Sequence, residues 1–456
     1  MTQKPSRREF LRQTSALAIA GSAAPFALNL ASIGAASAQV AGGYKALVCV
    51  FLYGGNDAHN TVVPVSGGAY NTYAATRGSL AWQPAELTPL STILPGALQL
   101  GLPNELAPLA TLYEAQQCAV VANVGPLIVP TNRTSFLAKS VPLPAKLFSH
   151  NDQQSTWQAS APEGAVYGWG GRIGDLLAAQ NGNSTFTTIN LTGNAVFLSG
   201  QQIQPYQLDP TVGAIPFNGV VGNNLYGSGA GNSALRTILT RTHASLMQNE
   251  LGKVNQRSLD SQAILSTALA APITPAPPAL PANNLLAQQL QMVARVINAR
   301  SALSAARQVF LVSMGGYDTH ANQDATHPGL LTQLADAISW WQTTINQMGI
   351  ASDVTLFTAS DFGRALAPNS EGSDHGWGSH HFVVGGAVLG RQVYGSFPDL
   401  TSNSSTDAGN GRLIPTTSVE QYAATMAKWM GVTPANLPVI LPNLVNFSQQ
   451  DLGFMT

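Results

Sequence analysis

Two stretches of this 456-residue chain share one plan: "KALVCVFLYGGNDAHN" from Lys45 and "QVFLVSMGGYDTH" from Gln308. Each is an unbroken apolar run, then a Gly-Gly pair, then Asp and His. A strand with one wet face alternates apolar and polar residues. A run that is apolar throughout must be covered on both faces, as in a parallel sheet packed between helices. Ala46–Tyr53, Cys118–Val124, Thr185–Leu191, Gln308–Met314, Val354–Ala359 and His381–Val388 read as strands, several of them such continuous apolar runs. They alternate with amphipathic patterns predicting helices over Glu105–Gln117, Gly170–Gln180, Asn232–Gly252, Leu285–Ala306, Pro328–Met348 and Val419–Met430.

The expected fold class is therefore α/β, a central mostly parallel β-sheet flanked by helices. Neither half of the chain has enough strands for a sheet of its own, so residues 39–456 are predicted to form a single domain. It would carry a helical insertion at about 200–306, and the proline-rich "PITPAPPALPANN" (Pro272 to Asn284) reads as a surface connector within it. Cys49 and Cys118 sit in apolar runs and in no CxxC pair, which predicts two free buried thiols rather than a metal or redox motif.

The first 38 residues read as a targeting segment rather than as fold. Arg7-Arg8 precede Phe10 and Leu11, an uncharged Ala-rich stretch follows, and Ala36-Ser37-Ala38 forms a small-x-small cleavage site. This is a twin-arginine signal, with the twin-arginine export machinery as partner and a periplasmic or secreted destination. The stretch is too weakly apolar, and interrupted by Pro25, to span a bilayer well, so no stable membrane span is expected after cleavage. Charged residues make up 9% of the chain and the net charge is −1, which excludes a nucleic-acid binder built on a basic stripe.

In an open α/β sheet, ligands bind beyond the carboxyl ends of the strands. The first strand delivers Asp57 and His59 there, the run from Gln308 delivers Asp318 and His320, and "TLFTASDFGR" delivers Asp361 and Arg364. The loop "GSDHGWGSHH" adds Asp374, His375, His380 and His381 just before the last strand. One Asp after a strand is commonly a helix N-cap, and one loop His is commonly a surface residue. Carboxylates and imidazoles from four separate segments instead suit Zn²⁺ or another divalent ion such as Mn²⁺, Mg²⁺ or Ca²⁺. The tripeptide Asp-Phe-Gly at Asp361 comes with none of the other motifs of a protein kinase.

"VFLYGGNDAHNTVVP", "SHNDQQSTWQ", "GWGGRIGDLL", "VFLVSMGGYDTHANQ", "TLFTASDFGR" and "GSDHGWGSHHFVVGGAVLGRQVYGSFPDL" together resemble the DUF1501 family. Those are exported bacterial proteins of uncharacterised function, similar in turn to the alkaline phosphatase/sulfatase superfamily. The resemblance spans nearly the whole chain after the signal. It implies an alkaline-phosphatase-like sheet with metal ligands at the strand ends. Carried over, Asp57, Asp318, His320, Asp361 and His375 would be the metal ligands. Two departures stand out: Phe362 occupies the place of a ligating His, and Asp318-x-His320 replaces a longer Asp–His spacing.

For catalysis the superfamily places a nucleophile at a helix N-terminus, where free N–H groups attract an anion. Ser149, before a predicted helix, is the candidate, though a plain N-cap explains it as well. His150 could ligate or move a proton, and Arg133 and Arg364 could clamp an anionic oxygen. No Cys-x-Pro-x-Arg motif of a formylglycine sulfatase is present. The leading expectation is an exported metallohydrolase acting on a small anionic substrate, a phosphate or sulfate ester. The rival is a catalytically degenerate protein of the same fold, binding or assembling with a surface partner. A metal-free serine hydrolase has less support, since no GxSxG elbow is found.

Overall fold

The computed structural model describes residues 43–193, 195–221 and 225–456. The predicted export segment lies outside the described residues. A nine-stranded sheet forms the centre. In chain order its strands are β1 (Lys45–Leu52), β2 (Cys118–Gly125), β3 (Thr188–Asn190), β4 (Tyr206–Gln207), β5 (Arg307–Met314), β6 (Val354–Ser360), β7 (Ser379–Gly385), β8 (Val393–Tyr394) and β9 (Thr417–Ser418). Their spatial order is β8-β2-β7-β6-β1-β5-β3-β4, with β9 also paired to β2. All pairings are parallel except those of β7, which runs antiparallel to both β2 and β6.

β1 shows why its apolar run had to be continuous. Ala46, Val48, Val50 and Leu52 join the core on one face, and Leu47, Cys49 and Phe51 the core on the other. Burying each such side chain contributes about 1.5–3 kcal/mol. The first core packs against helices Ala107–Glu114, Leu285–Asn298 and Gln323–Gln347. The second packs against α1 (His150–Ala159) and against helices Trp169–Leu177 and Val419–Met430. Cys49 and Cys118 are both buried and in no disulfide, and burial pushes both thiols well above their ordinary pKa. The α/β class and the six principal strands match the sequence expectation.

Two predicted helices differ, and the one over Leu285–Ala306 already ends at Asn298. Asn232–Gly252 is broken into Gly229–Thr240 and Leu246–Ala268. The chain turns back at Arg241, and a Cβ on Gly252 would lie 2.8 Å from the Arg241 carbonyl oxygen, so Gly252 lets the two helices close on each other. Among the described residues no helix is long and apolar enough to cross a membrane.

Register sets up the site. Leu52 of β1 lies opposite Met314 of β5 and Ser360 of β6. The segments after these three residues therefore leave the sheet side by side. Because β7 is antiparallel, its start lies at the same edge, which is how a loop before a strand joins residues that follow strands.

Candidate functional site

Asp361 follows β6 directly and is fully buried. Its Oδ2 accepts from His150 Nδ1 at 2.7 Å, Gln154 Nε2 at 2.7 Å and the Gly54 amide at 3.2 Å. Its Oδ1 is buried with no hydrogen-bond partner. His150 and Gln154 stand four residues apart on α1, so one helix face meets one carboxylate.

Asp318 lies beyond β5. Its Oδ1 is 2.6 Å from Arg364 Nη1, 3.0 Å from His320 Nε2 and 3.3 Å from His375 Nε2. Its Oδ2 is 3.4 Å from His150 Nε2. Burial raises the Asp318 pKa, but the Arg364 bond and charge, with the charges of His150 and His320, more than reverse this and hold it below the ordinary range.

Of the three imidazoles facing Asp318, His150 and His375 are fixed from behind by bonds at Nδ1. His150 donates Nδ1–H to Asp361, which raises its pKa against the effect of burial. His375 Nδ1 is 2.7 Å from the Phe148 carbonyl oxygen, and burial lowers the His375 pKa despite that bond. Phe148 has a φ of 72°, an uncommon conformation for a non-glycine residue, and its amide is bonded to Gln153 Oε1. With Nδ1 donating, each neutral ring presents a bare Nε2, the tautomer a metal requires. His150 Nε2 indeed has no hydrogen-bond partner, although Asp318 is close.

Ligand atoms of His150, Asp318 and His375 lie within 4.8 Å of one another. In tetrahedral zinc, bonds of 2.0–2.1 Å set ligand atoms about 3.3 Å apart, so a small contraction would suffice. Two imidazoles and a carboxylate suit zinc better than calcium or magnesium, which prefer oxygen alone. His320 borders this group at the exposed rim. Its Nε2 is 2.9 Å from His375 Nε2, and its Nδ1 is 3.4 Å from Asp374 Oδ1.

Other sequence candidates are engaged elsewhere. Asp57 is fully buried, paired with Arg77, bonded by Gln323 Nε2, and caps the 3-10 turn Ala58–Asn60. It stands outside the His150–Asp318–His375 group. Arg364 is also buried, bonding Asp318, the Gly54 carbonyl at 3.1 Å and both oxygens of Ser373. It holds Asp318 and has little left for a substrate. Ser149 donates to Asp152 Oδ2 at 3.0 Å, and Arg133 bonds Asp407 and Asn403. Phe362 packs its ring 4.8 Å from that of His150 and 4.6 Å from that of His375, walling the site where a further ligand was expected. His380 stacks on Phe397 and His381 on Tyr422, both buried away from the group.

Sequence reasoning missed Gln154, Phe148 and Gln153. Gln154 had a signal, its spacing of four from His150. A carbonyl turned by local strain at Phe148 has none.

The fold resembles several solved structures at low similarity. A PsFucS1 sulfatase from Pseudoalteromonas sp. aligns at a TM-score of 0.34 and 11% identity, covering 91% of this chain and 75% of that one. A 2-O GAG sulfatase aligns at 0.33 and 9%, covering 88% and 75%. The phosphonate monoester hydrolase of Agrobacterium radiobacter aligns at 0.28 and 10%, covering 86% and 74%. No curated protein matches the sequence significantly. Residues 133–439 match the family described as "Protein of unknown function (DUF1501)", a span that includes His150, Asp318, His320, Asp361 and His375. That is well over half of the chain, and the protein belongs to the DUF1501 family.

Proposed function

We propose that this protein is a divalent-metal-dependent hydrolase of phosphate or sulfate esters. One observation carries the reading. His150 and His375, each anchored through Nδ1, turn their Nε2 atoms toward the same Asp318 carboxylate. Three protein ligands, two imidazoles and a carboxylate, match the plan of a catalytic rather than a structural zinc site. An ion bound there would lower the pKa of a coordinated water and draw off charge from the ester oxygens.

The chain's own residues supply the remainder. Arg364 fixes Asp318, and Asp361 fixes His150. His320, at the rim with Asp374 behind its Nδ1, is placed to give a proton from Nε2 to the departing alcohol oxygen. Water fits the role of nucleophile better than Ser149, whose hydroxyl is turned to Asp152. Phe362 favours a second reading, in which the metal is kept for binding without turnover, because it closes one side of the site.

The test is metal content by mass spectrometry on protein purified without chelators, together with turnover of 4-nitrophenyl phosphate and 4-nitrophenyl sulfate. Near-stoichiometric zinc or manganese with turnover supports hydrolysis. Metal without turnover of either ester supports the second reading. Absence of metal, after incubation with zinc as well, overturns both. Arg7-Arg8 supports export through the twin-arginine machinery to the periplasm or beyond. Changing both to Lys should hold the protein in the cytoplasm, and undiminished export would reject that route.

A further inference from the structure

A surface cleft runs from Gln154 along the carboxyl edge of the sheet toward β3 and β4. Its near part, about 350 Å³, is bordered by Tyr53, Asn151, Gln154, Ser155, Gln158 and Glu163. Its far part, about 670 Å³, is bordered by Asn190, Thr192, Gln204 and Gln207, with apolar patches at Val166 and Pro205. Thr192, Gly193, Ala195 and Val196 border both parts, so the cleft is continuous. Gln154 joins it to the site, since its amide bonds Asp361.

Helix geometry explains the link. His150 and Gln154 lie on one face of α1, and Asn151, Ser155 and Gln158 at spacings of four and three on the adjacent face. The same helix therefore presents an imidazole to Asp318 and a row of amides and hydroxyls to the cleft.

The cleft chemistry is neutral and polar. Among the described residues Glu163 is its one charged side chain. Several amides are already fixed on one side by the protein. Gln158 Oε1 accepts from the Phe197 amide at 3.0 Å, and Asn190 Nδ2 donates to the Gly193 carbonyl at 3.0 Å and to Gln207 Oε1 at 2.9 Å. Gln207 Nε2 donates to the Thr192 carbonyl at 2.9 Å. Amides held this way lose little freedom when a ligand arrives. A polyanion would require cations along the walls, and among the described residues none borders this cleft. A ligand with closely spaced hydroxyls, each both donor and acceptor, and with apolar C–H faces to lay on Tyr53 and Val196, matches the walls throughout.

We infer that the cleft binds a neutral stretch of oligosaccharide and holds an esterified sugar of that chain at His150, Asp318 and His375. The ester part rests on the proposed hydrolase reading. The sugar part does not, because no wall of the cleft is a metal ligand. Gly193 offers a clean block: a Cβ there would meet no heavy atom within 4 Å, so Gly193→Trp fills the cleft without straining the fold.

The experiment is calorimetric titration of the full chain in EDTA with cellohexaose, maltohexaose, xylohexaose and agarohexaose, and with a peptide digest as comparison. At least one hexasaccharide should bind, about tenfold or more weaker in Gly193→Trp, whose metal content should equal wild type. If none of the sugars binds, or if Gly193→Trp binds them unchanged, the cleft assignment is overturned, whatever the metal content. Binding of peptides alone overturns it in favour of a peptide groove. Sugar binding with no metal in any preparation would leave the cleft standing and remove the hydrolase reading.

Discussion

Nδ1 of His150 stands 2.7 Å from Oδ2 of Asp361, although 211 residues separate them in the chain. The same oxygen accepts from Gln154 and from the Gly54 amide. Three donors on one buried oxygen make Asp361 the fixed point from which the His150 ring is aimed. A carboxylate behind an imidazole sets its tautomer and strengthens its bare nitrogen as a ligand.

Asp361→Asn should therefore weaken metal binding without touching the metal ligands of the proposed site. The loss expected is about 10–100-fold in affinity. Competition with a chromophoric zinc chelator measures it. An unchanged affinity would mean that the His150–Asp361 bond serves only the fold.

The two Gly-Gly pairs make a contrast that sequence alone conceals. Gly54 has a φ of +111°, and a Cβ on it would fall 2.4 Å from the Asp318 amide nitrogen. Gly315, in the matching pair, has nothing within 4 Å of its Cβ position. Gly54→Ala must push the segment carrying Asp318 away and should cost about 1–3 kcal/mol. Gly315→Ala should stay within about 0.5 kcal/mol. Urea unfolding of both variants, with metal content measured alongside, tests the difference. Equal stabilities would show that the approach of the two strand ends is not as tight as described.

Acid sensitivity should begin in the core, not at the surface. Burial, opposed only in part by Asp57, lowers His59 and His327 to about 4, and burial lowers His381 to about 3. The ordinary value is 6.5, so in the window between them the unfolded chain takes up protons that the folded chain refuses. Stability is unaffected above that window and falls as pH drops through it, by about 1.4 kcal/mol for each unit of depression per group. His381→Phe tests one share of this. The new ring would lie beside Trp157 and Tyr422, and Thr358 Oγ1 would keep its bond from the Phe382 amide. The stability lost between pH 7 and pH 4 should shrink in this variant. A wild-type slope would show that His381 is not buried neutral.

The parts of this protein legible in its sequence are those fixed by burial on two faces. Five of the six main strands, β1, β2, β5, β6 and β7, are buried almost throughout and carry apolar runs that could be read, and the residues after β5 and β6 do gather at one edge. The direction of β7 was not legible, because a fully buried strand reads the same either way. Asp57 and Asp318 follow near-identical motifs, yet one turns inward and the other stays at the rim. The difference is Arg77, a cation from a distant helix end whose burial beside Asp57 no local pattern announces. Ser149 and Arg364 had the right types in the right places. Whether their polar atoms were free depended on Asp152 and Ser373, contacts visible only in three dimensions.

Asp57 separates a structural role from a ligand role most sharply. Its carboxylate is paired with Arg77, which also donates to the carbonyls of Ala365 at 3.0 Å and Leu366 at 3.1 Å, and both side chains are fully buried. Burial alone would raise the Asp57 pKa, but Arg77, His327, His59 and the Gln323 bond overcome it and hold the group below its ordinary 3.8. Its contribution is thus complete above pH 3.8 and is lost as pH falls through the depressed folded value. Asp57→Asn leaves the Arg77 charge buried without its partner, at a cost of about 3–5 kcal/mol. Replacing the pair together, as Asp57→Asn with Arg77→Met, should recover part of that cost, because no uncompensated charge remains. Zinc bound per folded molecule should equal wild type in the double variant, since Asp57 stands outside the His150–Asp318–His375 group. A double variant that folds yet binds no zinc would return Asp57 to the ligand set that its position after β1 first suggested.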